Sequence, residues 1–142
     1  NVTPDEVKLK GTIRTFDEEW RYKAHGWIEH YVATTCKAFG GSADVDIRVG
    51  YPHLKNNEAL TLSSKSIAQD YLGSENVVDL DLRLTAEDFA YYTHETAGCF
   101  YRLGTDSADG KFQAPVHNSR FNIDESALET GMGLMAYLAV SQ

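Results

Sequence analysis

Residues 6 to 16, EVKLKGTIRTF, alternate between apolar and polar side chains, and this alternation limits the fold more than any other feature of the chain. Val7, Leu9, Gly11 and Ile13 fall on one side of an extended backbone, and Lys8, Lys10, Thr12 and Arg14 on the other. That is the pattern of an antiparallel strand with one face on a core and one in water. The period of two returns in ADVDIRVG (43–50), where Val45, Ile47 and Val49 share a face. Between them, DEEWRYKAHGWIEHYVATTCKAFGG changes period. Trp20, Ala24, Trp27, Ile28, Tyr31 and Phe39 recur at helical spacing, Asp17 and two glutamates suit a first turn, and Gly40-Gly41 suits an end. Strand, helix, strand with one-sided faces predicts an antiparallel sheet carrying its helices on one side, an α+β sandwich.

Tyr51-Pro52-His53 breaks the pattern and divides the chain into 1–51 and 52–142. A second helix is predicted over 58–72, capped by Asn56 or Asn57 and stopped by Gly73. VVDLDLRL (77–84) reads as a strand. Thr85 and Asp88 of TAEDFAYY have the spacing of a capping box and predict a helix start. GCFYRLG (98–104) reads as a short apolar strand, DSADGKFQAPVHNSRF as a loop, and DESALETGMGLMAYLAV as a last helix whose Gly131 and Gly133 permit close packing.

A chain of 142 residues makes one ordinary domain or pieces of two, and 42% hydrophobic with 11% aromatic residues is enough for a core. A formal net charge of −8 argues against nucleic acid and anionic membrane as partners. No apolar run approaches the roughly 20 residues that span a bilayer. The opening NVTPDEVKLK is polar and strand-like, unlike a signal peptide, so the sequence reads as part of a longer protein. Cys36 and Cys99 form no CxxC pair and read as free thiols, which fits a reducing, cytoplasmic setting.

The histidines, His25, His30, His53, His94 and His117, form no HxH, HxxH or HExxH pattern. His25 and His30 lie five apart and share no helix face. There is no phosphate loop, no GxSxG elbow and no Cys-His pair at a recognisable spacing. By motif alone, His117 in APVHNSRFNIDE is a loop histidine, and the chain a plain α+β domain.

The order of five segments adds to that reading. NVTPDEVKLKGTIRTF, AEDFAYY, GCFYRLGT, PVHNSRFNIDESAL and the following GMGLMAYLA resemble, in order and across the whole chain, the C-terminal part of the metal-dependent aminoacylase/carboxypeptidase family. The nearest groups are hippurate hydrolases, N-acyl-amino-acid amidohydrolases and auxin-conjugate hydrolases. The resemblance implies a partial lid domain over 1–51, with helices on one face of an antiparallel sheet. It implies the C-terminal part of a zinc-peptidase-like α/β catalytic domain over 52–142, and a homodimer formed through the lid.

The resemblance also implies roles. His117 matches the last ligand of a two-metal site, zinc or manganese. Asn1 and Arg14 match the lid's polar pair, an amide for the scissile carbonyl oxygen and a guanidinium for the substrate carboxylate. Glu87 and Asp88 lie in a stretch that relatives place near the substrate, with Thr85 here where they often carry glycine. Thr3 and Ala97 also depart from the usual residues without removing a chemical group. The family's Cys-Gly-His motif, Glu-Glu pair and further metal histidine are not among these residues. No catalytic residue is therefore assigned in this chain, at most part of a two-metal site is expected, and the chain alone is expected to be inactive. The implied substrates are N-acyl amino acids or small peptides. The competing expectation is a non-catalytic α+β module for dimerisation or small-molecule binding.

Overall fold

The computed structural model describes all 142 residues, Asn1 to Gln142. It contains four α-helices, α1 (Glu18–Ala38), α2 (Glu58–Leu72), α3 (Ala90–Glu95) and α4 (Ser126–Ser141), and a single 3-10 turn at Ser74–Asn76. No helix is long and apolar enough to cross a membrane.

There is no β-strand, and this overturns the α+β and α/β expectation, with its antiparallel sheet. Residues 6–16, 43–50, 77–84 and 98–104 all lack regular structure. The physical reason is pairing. Alternation selects which side chains share a face, but a strand exists only when a neighbour takes up its N–H and C=O groups. No backbone hydrogen bond joins residues 6–16 to 43–50, and a lone two-stranded ribbon is marginal in water. The faces meant for a core stay open instead, with Val7 70% and Leu9 92% exposed.

The helices follow their local chemistry. Asp17 caps α1 by accepting from the Trp20 N–H at 2.9 Å. At the other end, Gly40 turns left-handed (φ 77°). The Gly41 N–H then reaches Cys36 O (2.9 Å) and the Gly40 N–H reaches Lys37 O (3.1 Å), the paired bonds of a Schellman ending. In α2, Asn57 caps through the Leu60 N–H (3.0 Å), and Gly73 with φ 89° ends the helix. The Thr85–Asp88 capping box is not used. α3 begins at Ala90, with the Phe89 N–H on Glu87 Oε1 (3.3 Å) and the Ala90 N–H on Glu87 O (3.2 Å).

The chain forms two compact units, Asn1–Leu54 with Leu82–Tyr91, and Lys55–Asp81 with Tyr92–Gln142. In the first, Arg21 pairs with Glu18 one helical turn away and donates to Tyr51 O (2.8 Å), while Glu18 Oε1 accepts the His53 N–H (2.8 Å). These contacts fasten the segment 51–53 to the start of α1. The apolar side of α1 is little covered: Ala24 is its only buried residue, and Trp20 and Trp27 pack edge-to-face on each other with centroids 6.2 Å apart.

In the second unit α4 packs on α2. Ala127, Leu134 and Leu138 form the buried face of α4. Gly133 lets the helices meet, because a Cβ there would collide with Tyr71 Oη. The Tyr71 ring in turn stacks on Tyr137, centroids 5.3 Å apart. Gly131 likewise faces Leu103 Cδ2. The expectation that these glycines allow close packing holds. The neighbouring face of α4, Leu128, Met132 and Met135, is exposed.

Total accessible surface is 11759 Å², against roughly 8,800 Å² for two separately compact units sharing this mass. The buried hydrophobic residues are Ala24, Ala90, Ala127, Leu134 and Leu138. Few of the apolar residues are therefore fully buried.

Candidate functional site

The loop that carries His117 leaves and re-enters the fold at one point. The Asp124 N–H donates to Thr105 O at 2.8 Å, which closes residues 105–124 at their base. Asp124 then turns the chain into α4: its Oδ1 accepts the Ser126 N–H (2.9 Å) and its carbonyl accepts the Ala127 N–H (3.0 Å). Those hydrogen bonds from Ser126, with a smaller contribution from the Lys111 charge, hold the Asp124 carboxyl below its ordinary value. The packing of α4 on α2 thus anchors one end of the loop. Across the same unit, the Asn56 side chain fixes the segment leading toward the other end. Its amide donates to Phe100 O (2.9 Å) and accepts from the Phe100 N–H (2.8 Å), as a neighbouring strand would. The Asn57 N–H adds a bond to Gly98 O (2.8 Å).

Within the loop, Asp106 Oδ1 gathers the Ser107 and Phe112 N–H groups (2.9 and 2.8 Å) and shapes the first bend. The second bend holds the candidate ligand. The Asn118 N–H donates to Pro115 O (3.1 Å), so Val116 and His117 are the two central residues of a turn. His117 has φ 69°, the one non-glycine residue of the chain with positive φ. Positive φ at the second central residue alone marks a type II turn, where glycine or asparagine is usual. Such a conformation costs an ordinary L-residue roughly 1–2 kcal/mol. Residues held this way concentrate at functional positions. The imidazole is exposed at the bend. A second turn follows at once, with the Arg120 N–H on Asn118 Oδ1 (2.9 Å) and the Phe121 N–H on Asn118 O (2.9 Å).

The other two predicted positions, Asn1 and Arg14, lie in the first unit and are exposed. Arg14 donates Nη1 to Leu84 O at 3.0 Å, which leaves the rest of its guanidinium open. His117 belongs to the second unit. No group of three or more His, Cys, Asp or Glu comes together that could hold a metal ion. An imidazole is a type of side chain that can donate a nitrogen to a metal ion, and His117 presents one at an exposed turn.

Sequence reasoning did not single out Asn56 as the residue that grips Phe100, or Asn118 as the link between two turns. The first was visible only as an alternative helix cap. For the second, the signal was asparagine directly after a histidine in a Pro-containing loop, a residue type that bonds its own following backbone. The Glu18–Arg21 pair could have been found from its i, i+3 spacing.

A probable hydrolase of Synechocystis sp. is 33% identical over 140 residues, which is 98% of this chain and 36% of that protein. Thermostable carboxypeptidase 1 of Saccharolobus solfataricus is 32% identical over 99% of this chain and 35% of its own length. IAA-amino acid hydrolase ILR1-like 4 of Arabidopsis thaliana is 29% identical over 98% of this chain and 32% of its length. The chain spans about a third of the length of the curated relatives it matches. No family model matches it, and no solved structure does. Near-complete coverage of the chain by relatives named as hydrolases, carboxypeptidases and amino-acid-conjugate hydrolases agrees with the ordered segments read from the sequence, and the chain belongs to the aminoacylase/carboxypeptidase family of amidohydrolases.

Proposed function

We propose that this chain is one part of a metal-dependent amidohydrolase that cleaves the amide bond of N-acyl amino acids or small peptides. The observation that carries the reading is His117, an exposed imidazole whose backbone is held left-handed between two hydrogen-bonded turns. Its role is to donate one nitrogen to a divalent ion, zinc or manganese, at a two-metal centre. When bound, such ions polarise the amide carbonyl and lower the pKa of the attacking water. Arg14 keeps N–H groups available for a bidentate grip on the substrate carboxylate. Asn1 supplies a side-chain amide to the scissile carbonyl oxygen.

The general base and the remaining ligands lie outside these 142 residues, so this chain alone does not turn over substrate. The exposed Val7, Leu9, Trp20, Trp27 and Tyr31 of the first unit are the surface on which the rest of a lid, and a second copy, pack.

Replacing His117 with alanine in the complete polypeptide, then measuring bound zinc after dialysis, tests the reading. A loss of metal affinity of about 10-fold or more is expected from the removal of a ligand. Unchanged metal content would remove His117 from the centre and the reading with it.

A further inference from the structure

We infer that Asn118 is a positioning residue for His117, acting through the backbone and touching neither metal nor substrate. The inference rests on the reading of His117 as a ligand. Its starting point is structural. Asn118 uses three of its groups on the two turns that flank the histidine: its N–H on Pro115 O, its Oδ1 on the Arg120 N–H, and its C=O on the Phe121 N–H. The first bond closes the turn in which His117 sits with φ 69°. The other two fix the peptide plane that follows. A histidine enters the left-handed region more often than most L-residues, yet negative φ remains its lower-energy choice, so relaxation of these bonds frees it to return to the ordinary region. That return rotates the Cα–Cβ bond and re-aims the imidazole. Two of the three bonds belong to the backbone and survive any ordinary substitution. The side-chain bond to Arg120 is the one that asparagine in particular provides.

The identity at 118 therefore sets how much of the time His117 points in one direction, and a ligand held in one direction binds metal more tightly than one that must be reoriented. The Asn118 side chain is exposed and its Oδ1 bond is local, so its loss is expected to spare the α2–α4 packing.

The test compares Asn118→Ala, Asn118→Asp, Asn118→Ser and His117→Ala in the complete polypeptide. Zinc affinity is measured by chelator competition, hydrogen exchange is followed at the Arg120 amide, and the φ of residue 117 is read from crystal structures. Asn118→Ala is expected to release the Arg120 amide, return His117 toward negative φ and weaken zinc about tenfold. Asn118→Asp keeps an acceptor for the same N–H and should restore both protection and affinity. Asn118→Ser keeps a weaker acceptor without adding charge and should fall between. Zinc affinity unchanged in Asn118→Ala while Arg120 protection is lost would overturn the positioning role. So would Asn118→Asp regaining protection but not zinc. If His117→Ala itself keeps zinc, the ligand reading fails instead, a pattern distinct from the other two.

Discussion

Two truncations of the same side chain separate the backbone strain at position 117 from its chemistry. His117→Ala and His117→Gly both remove the imidazole, and they differ only in a Cβ. At φ 69° that Cβ opposes the carbonyl oxygen that follows it. The penalty is roughly 1–2 kcal/mol for an L-residue in this region, and glycine escapes it. Glycine instead loses more conformational freedom on folding, a penalty of roughly 0.5–1 kcal/mol. The difference leaves the glycine variant more stable than the alanine variant by about 0.5–1 kcal/mol. For a chain of this size that is about 1–4 °C in melting midpoint.

The assay is urea and thermal unfolding of the two variants, followed by circular dichroism, with zinc content measured on the same samples. Both variants should lose metal equally, because neither keeps a nitrogen donor, while their stabilities diverge. An alanine variant as stable as the glycine variant, or more so, would refute the argument. It would mean that the turn relaxes at no cost and that the left-handed conformation of His117 is not imposed by its surroundings.

Three further outcomes follow from the packing and hydrogen bonds. Gly133→Ala should destabilise the α2–α4 contact by about 1–3 kcal/mol through overpacking against Tyr71. In a Tyr71→Ala background the same change should stabilise by roughly 1 kcal/mol, the ordinary helix preference of alanine over glycine, and a double-mutant cycle by urea unfolding reads the coupling. Asn56→Ala removes both side-chain bonds to Phe100 and should cost about 1–3 kcal/mol, with faster hydrogen exchange at the Phe100 amide. Asp124 has a lowered carboxyl pKa, set first by its bonds from Ser126. Its contribution is therefore present above the ordinary carboxylate value and lost as pH falls through the lower folded-state value. The stability advantage of the native chain over Asp124→Asn, measured by urea midpoint, should be present at neutral pH and vanish in strong acid.

What could be read from the sequence divides by the range of the interactions. α2 begins and ends at 58 and 72 as expected, because Asn57 and Gly73 supply its cap and its stop within a few residues. The Gly40-Gly41 ending of α1 is equally local. The strands fail for the opposite reason. EVKLKGTIRTF has a strand's alternation, but its partners would have to come from elsewhere, and no backbone in this chain pairs with it. The Thr85–Asp88 box misplaces the start of α3 because Glu87, one residue away, takes the free N–H groups. At the site, His117 was legible as a loop residue, and the ligand role is what the resemblance implies. Its left-handed backbone was not legible, since histidine in this region carries no glycine or asparagine signal at its own position. The stabilising asparagine stands one residue later.

The same division explains what holds the backbone at His117. Everything that bends the backbone at His117 is inside the second unit: the Thr105–Asp124 closure, the two turns about Asn118, and α4 seated on α2 through Gly133. The other face of α4, with Leu128 55%, Met132 70% and Met135 56% exposed, remains open beside a fully used one. A helix apolar on more than one side is suited to burial on each, and here α2, Leu103 and Tyr101 cover only part of α4. The loop it carries is braced from the side that this chain supplies. The backbone conformation at His117 is consequently a short-range property, set between residues 105 and 126, whereas the covering of the apolar faces is a long-range one. Substitutions in the loop should alter the backbone at His117 without altering how α4 packs on α2.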